Sequence, residues 1–145
     1  MQAVIQRVRN AEVTVEGESV GKIGRGILGL VAIEKGDDHK SVARLAQKIL
    51  GYRIFPDESG RMNLNLGEIG GELLLVSQFT LAADTAKGMR PSFTPAADPE
   101  TGRRLFDQLV DHVRLQGTHT QTGRFGADMK VSLINDGPVT FILKA

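Results

Sequence analysis

Alternation of apolar and polar residues in the N-terminal third constrains the fold more than any other feature of the chain. Ala11, Val13 and Val15 alternate with Glu12, Thr14 and Glu16, a period of two that suits a strand with one buried face. Glu16-Gly17-Glu18 then predicts a turn into a second strand over residues 19–23. Residues 27–33 are short, rich in Leu and β-branched side chains and bounded by Gly, which reads as a strand buried on both faces. Further strands are expected over residues 52–55, 73–80, 128–135 and 139–143.

Helical spacing replaces alternation in two places. Val42, Leu45, Ala46, Ile49 and Leu50 recur at i, i+3, i+4, i+7 and i+8, with Asp37 or Asp38 as cap and Gly51 as stop. Leu105, Phe106, Leu109, Val110 and Val113 form a second stripe over residues 99–115. Strand-rich order, two helices and no regular βαβ alternation predict an α+β fold: mostly antiparallel strands rolled into a barrel-like core. The 145 residues amount to a single domain spanning 1–145. Residues 82–97 form the longest stretch without a clear period, and loops of that length in compact domains are usually functional or mobile.

A domain of this size buries enough surface to need no disulfide or metal staple. The chain has no Cys, which fits a reducing compartment. Residues 1–8 alternate and carry Arg7, unlike the unbroken apolar core of a signal peptide. The longest apolar run, 27–33, is far short of the ~20 residues that cross a bilayer. A cytoplasmic protein is expected. The formal charge of +1 excludes a surface wholly coated for nucleic acid, so RNA contact has to come from a local patch. Lys87, Arg90, Arg103, Arg104, Arg124 and Lys130 gather around the long loop and the later turns. They default to a solvated surface, and would hold RNA phosphates only if they converge beside a site.

Several motifs point away from familiar chemistry. Gly24-Arg25-Gly26-Ile27-Leu28-Gly29 fits the dinucleotide pattern but runs into strand instead of opening a helix. No nucleotide cofactor is expected. His39, His112 and His119 lie apart in sequence, without ligand spacing, so no metal is expected. Ser77 follows an apolar strand but lacks the flanking glycines of a nucleophile elbow. A triad drawing on Ser77 or Thr80 with His119 is not favoured.

Two segments remain. Ser77-Gln78-Phe79-Thr80 ends an apolar strand with hydroxyl and amide groups. By default these satisfy nearby backbone; alternatively they form a mouth presenting backbone N–H groups to a carbonyl oxygen. Asn135-Asp136-Gly137-Pro138 reads as a turn joining the last two strands. Gly137 allows close approach of another group to its backbone. The frequencies of X-Pro bonds alone predict a trans bond there.

These segments, with Ala3-Val4-Ile5-Gln6-Arg7-Val8, Arg90-Pro91-Ser92-Phe93, Gln121-Thr122-Gly123 and Gly126-Ala127-Asp128-Met129, give the chain a full-length resemblance to the bacterial D-aminoacyl-tRNA deacylases. The resemblance implies a homodimer with active sites at the interface. It implies a cis Gly137-Pro138 bond inserted into the neighbouring subunit's pocket. Its implied substrate is a D-amino acid, or mischarged glycine, esterified to the 3′-terminal adenosine of tRNA. Ser77, Gln78, Phe79, Thr80 and Met129 carry over as pocket residues and Arg7 as support for the Gly-Pro turn. No cofactor is implied. The nucleophile is open between the Thr80 hydroxyl and water assisted by the ribose 2′-hydroxyl. An RNA-binding module without chemistry, an esterase using Ser77 and a purely structural dimer are the rival readings.

Overall fold

The computed structural model describes residues 1–145. One strand organises it. β1 (Gln2–Val15) uses one edge for β3 (Gly26–Ala32) and then β2 (Glu18–Ile23), and pairs along the other with β8 (Lys130–Lys144). All three pairings are antiparallel. The β1–β2 turn places Glu16 (φ 51°) and Gly17 (φ 81°) in the left-handed region, as a two-residue hairpin matched to strand twist requires.

The sheet continues from β3 to β6 (Glu72–Ser77) and β7 (Thr120–Thr122), and both of these pairings are parallel. Parallel neighbours need crossovers. The first carries α1 (His39–Gly51) and a small hairpin, β4 (Phe55–Pro56) with β5 (Met62–Leu64); the second carries α2 (Pro99–Leu115). The sheet is therefore mostly antiparallel, as expected, with two helical crossovers that the sequence pattern did not disclose. β5 and β7, each three residues long, are too short to display a period.

β3 and β6 are buried on both faces, and their alternate residues serve two cores. Ile27, Val31, Leu73 and Leu75 face the helices, where they meet Leu45, Ile49, Leu105 and Leu109. Leu28, Leu74 and Val76 face the barrel interior with Val8, Ala11 and Val13. β1 contributes Ala3 and Ile5 to the first core and Val8, Ala11 and Val13 to the second. Val8 and Ala11 share a face only because β1 gains one residue on β8 between Val8 and Asn10. Such a bulge shifts every later side chain to the other face.

Both helices begin as the sequence predicts. Asp38 accepts from the Lys40 and Ser41 amides at 2.9 and 3.1 Å. Asp98 accepts from Thr101 N at 2.9 Å, with Pro99 in the first turn. Gly51 is the last helical residue, and Tyr52 is the cap. The strand expected over 52–55 shrinks to Phe55–Pro56. The two strands expected at the C-terminus are one, β8, which follows β1 throughout. No helix is long and apolar enough to cross a membrane.

The barrel closes where β2 meets β7 without a ladder. A Cβ on Gly21 would land on the Thr122 carbonyl oxygen, so only glycine lets the two backbones approach. Gly21→Ala is expected to cost about 2 kcal/mol through overpacking. Thermal denaturation should show a fall of roughly 4–8 °C in Tm.

Candidate active site

The site begins where β6 runs out. Leu73 to Val76 are fully buried, and the parallel ladder carries Ser77 to the level of Val31. Gln78 N–H then donates to the Val31 carbonyl at 2.7 Å, fixing the next peptide to β3. There the chain leaves the sheet. Phe79–Ala82 form one turn of 3₁₀ helix, closed by Leu81 N–H to Gln78 O and Ala83 N–H to Thr80 O, both at 3.2 Å. Residues 78–80, expected within the strand, thus lie beyond it. Parallel pairing with β3 ends at Ser77, so the alternating Gln78-Phe79-Thr80-Leu81 that follows has no neighbouring strand to run along.

The turn leaves the amides of Phe79 and Thr80 without an acceptor in the chain, as the first N–H groups of any helical turn are. Gln78 Nε2 donates to Thr80 Oγ1 at 2.5 Å. The Thr80 hydroxyl proton is thereby left for another acceptor. Phe79 is 57% exposed and packs edge-on against Phe93, ring centroids 5.1 Å apart.

Ser77, Gln78 and Phe79 border a cavity of about 560 Å³, whose walls also include Val31, Val76, Phe93, Phe125, Met129 and Val131. That volume lies in the range of small-molecule sites, and the lining is mainly apolar, as is usual. Met129 is seated by Gly123: its sulfur lies 2.6 Å from where a Gly123 Cβ would stand, and it accepts from Arg124 N–H at 3.4 Å. Asp98, on the cavity wall, is held below the usual carboxylate range by the Thr101 backbone N–H. Sequence reasoning did not single out Phe93 and Phe125 as parts of one wall. They come from separate loops, and no local pattern joins them.

Arg7, Gly137 and Pro138 form a second constellation. Between Gln6↔Thr140 and Val8↔Asn135, β8 spends five steps where β1 spends two. The surplus is a bulge within one strand rather than the hairpin turn expected between two. Gly137 has φ 145°, and the Gly137-Pro138 bond is cis. This corrects the trans bond expected from frequencies and agrees with the implication of the resemblance. Arg7 lies opposite, its side chain 13% exposed. It donates from Nε to Asp136 O at 2.8 Å and from Nη1 to Ile54 O at 2.7 Å. Asn135 Oδ1 accepts from Val139 N at 2.8 Å, tying the two ends of the bulge.

Within one chain the two constellations do not meet. Gly137 and Pro138 are exposed and absent from the cavity wall, as are Thr80 and Arg7. Val131 is on that wall, and Gly137 lies six residues further along β8, on the order of 15–20 Å. The histidines are elsewhere too: His39 opens α1, His112 lies on α2, and His119 sits 3.8 Å from Glu72.

The basic residues divide. Lys130 is paired with Asp128 at 2.9 Å. The Arg103 guanidinium lies 4.9 Å over the Phe125 ring. Arg124 lines a smaller polar cavity that shares Ala127 and Asp128 with the first. Lys87 and Arg90 are exposed on the loop before Phe93, and Arg104 is exposed on α2.

Comparison with known proteins gives a consistent result. The D-aminoacyl-tRNA deacylase of Methylococcus capsulatus is 68% identical over 99% of this chain and 94% of its own. That of Shewanella amazonensis is 58% identical over 99% of both. A solved structure described as c-Myc DNA Unwinding Element Binding Protein superposes with TM-score 0.95 at 39% identity, covering 100% of this chain and 99% of that one. A probable eukaryotic D-amino acid tRNA deacylase shares the fold, at TM-score 0.83, 17% identity and coverage of 99% and 98%. The family model described as D-Tyr-tRNA(Tyr) deacylase matches residues 4–144, and the chain belongs to that family.

Proposed function

We propose that this protein hydrolyses the ester between a D-amino acid and the 3′-terminal adenosine of tRNA, with the Phe79 and Thr80 amides holding the ester carbonyl. The free N–H groups of Phe79, on the cavity wall, and of Thr80, the residue after it, carry the reading. An aminoacyl ester is already activated, so its cleavage needs a placed water and a stabilised oxyanion rather than a strong base. Each preorganised donor lowers such a barrier by about 3–4 kcal/mol. The Gln78 bond to Val31 fixes the donors before substrate arrives. The terminal adenosine occupies the apolar cavity beside Phe79 and Phe93. Water attacks with help from the ribose 2′-hydroxyl, while Thr80 orients without bonding to carbon. The reaction serves chirality proofreading in the cytoplasm, and glycine wrongly attached to tRNA is a second substrate.

Selection of the mirror image comes from the other constellation, supplied by a second copy of the chain. β8 is an edge strand over all 15 of its residues; a bare edge of that length invites pairing or cover. It also exposes Ile134 (52%) and Ile142 (69%) on either side of the bulge. A partner docked on this edge brings its Gly137 and Pro138 to the first copy's cavity. The Gly137 carbonyl and Pro138 ring then form a wall beside Cα. An L side chain strikes that wall, a D side chain points to solvent, and glycine meets nothing.

Release of amino acid from D-Tyr-tRNA and L-Tyr-tRNA tests the reading directly. Release from the D ester alone is expected, with similar rates for other D-amino acids; tight binding without release would mark an RNA-binding module instead. In Thr80→Val, turnover is expected to stay within about tenfold of wild type, the range of one lost side-chain contact. A loss nearer 10⁴-fold would assign the attack to the hydroxyl. Ile134→Glu combined with Ile142→Glu is expected to give a folded monomer by light scattering, with a lower Tm that no longer depends on protein concentration and no D-ester turnover.

A further inference from the structure

Resting on that reading, we infer that Arg103 and Arg124 form the phosphate-binding exit of the cavity, gripping the phosphodiesters just upstream of the terminal adenosine. Phe79 and, from a separate loop, Phe125 and Gly126 line the cavity. A terminal nucleotide lying in it with its ester at Phe79 and Thr80 remains joined to a polynucleotide, so the strand has to leave across a rim. On the Phe125 side, one cation is held in place by that ring and a second is carried by the preceding residue.

Phe125 is itself anchored. Its ring is tilted on Phe106 at 6.3 Å between centroids, and its far edge lies 3.5 Å from where a Gly102 Cβ would stand. Arg103, one residue along α2 from Gly102, lays its guanidinium over that ring and points Nη2 at the Phe125 carbonyl, 3.5 Å away. Stacking leaves most of the guanidinium N–H fork unused. On the other side of Phe125, the Arg124 backbone is fixed by two contacts. Its N–H meets Met129 Sδ at 3.4 Å, and its carbonyl accepts from Ala127 N at 3.2 Å. Neither arginine is in an ion pair, whereas Lys130 is cancelled by Asp128. Glu16 and Asp128 also border the polar cavity beyond Arg124, so that cavity has no net charge to hold an isolated anion. The strand is gripped on its rim, by Arg103 over the Phe125 ring and by Arg124, the residue before Phe125 in the chain. Lys87 and Arg90 are exposed on the loop before Phe93, and neither is seated on an aromatic ring as Arg103 is.

The experiment compares two substrates that share the terminal nucleoside ester, one with and one without the upstream polynucleotide and its phosphates: D-Tyr-tRNA and 3′-O-(D-tyrosyl)adenosine. Arg103→Gln and Arg124→Gln remove the charge while keeping a polar side chain that can still donate a hydrogen bond. The double variant is expected to lower kcat/KM on D-Tyr-tRNA about tenfold at moderate salt. It should flatten the log–log salt dependence by about 0.7 per contact, the single-strand value. On the nucleoside ester it should stay within about twofold of wild type, because no upstream phosphate is present. An equal loss on both substrates would mean that the variants deform the cavity, and would overturn the inference. So would unchanged kinetics on the tRNA ester. Failure of wild-type protein to cleave either ester would remove the deacylase reading, and this inference with it.

Discussion

Both edges of β1 are committed along most of their length, and the rest of the molecule is arranged around that commitment. One edge is filled by β3 and β2, the other by β8. Buried amides and carbonyls need partners, so β8 has to track β1 to the end of the chain. Any residue of β8 beyond the count of β1 has to leave the ladder. Gly137 and Pro138 stand outside for that reason. Arg7, on the strand that excludes them, supplies the hydrogen bonds the ladder no longer provides. Bulge and guanidinium form one unit: removing the side chain would leave the Asp136 and Ile54 carbonyls unpartnered.

A similar economy governs the other constellation. β6 ends against β3, and the last bond of that ladder, Gln78 N–H to Val31 O, is also the first fixed point of the 3₁₀ turn. The two amides beyond it owe their direction to the sheet. Apolar walls from three aromatic residues and Met129 keep the space beside them poor in competing hydrogen-bond partners, which strengthens any dipole aimed into it. The proposed chemistry needs no titrating group between them, in keeping with histidines that lie elsewhere.

Much of this was legible in the sequence, and the reasons differ by element. α2 announces itself through Asp98, Pro99 and an unbroken stripe from Leu105 to Val113, and its limits match the residues expected. β1 and β3 are legible because burial enforces their periods. The C-terminal strand misleads because Asn-Asp-Gly-Pro has the composition of a hairpin turn; only pairing with β1, more than a hundred residues away, makes it a bulge. Thr80 misleads in another way: nothing local marks the point at which β3 ceases to support the strand. The cavity is the least legible feature. Phe93, Phe125 and Met129 are adjacent only after α2 has crossed from β6 to β7. Ser77 to Thr80 and Gly137-Pro138 could be found as segments, but their separation within one chain could not.

The bond between Gln78 and Val31 has a consequence for variation. Atoms that belong to the main chain are carried by whichever residue occupies the position. Exchanging the side chain at 79 or 80 therefore alters fit around the donors and leaves the donors themselves. Proline is the exception, since it alone deletes an N–H. On the proposed reading, drift at these sites adjusts speed, and the choice of hand rests with the other constellation.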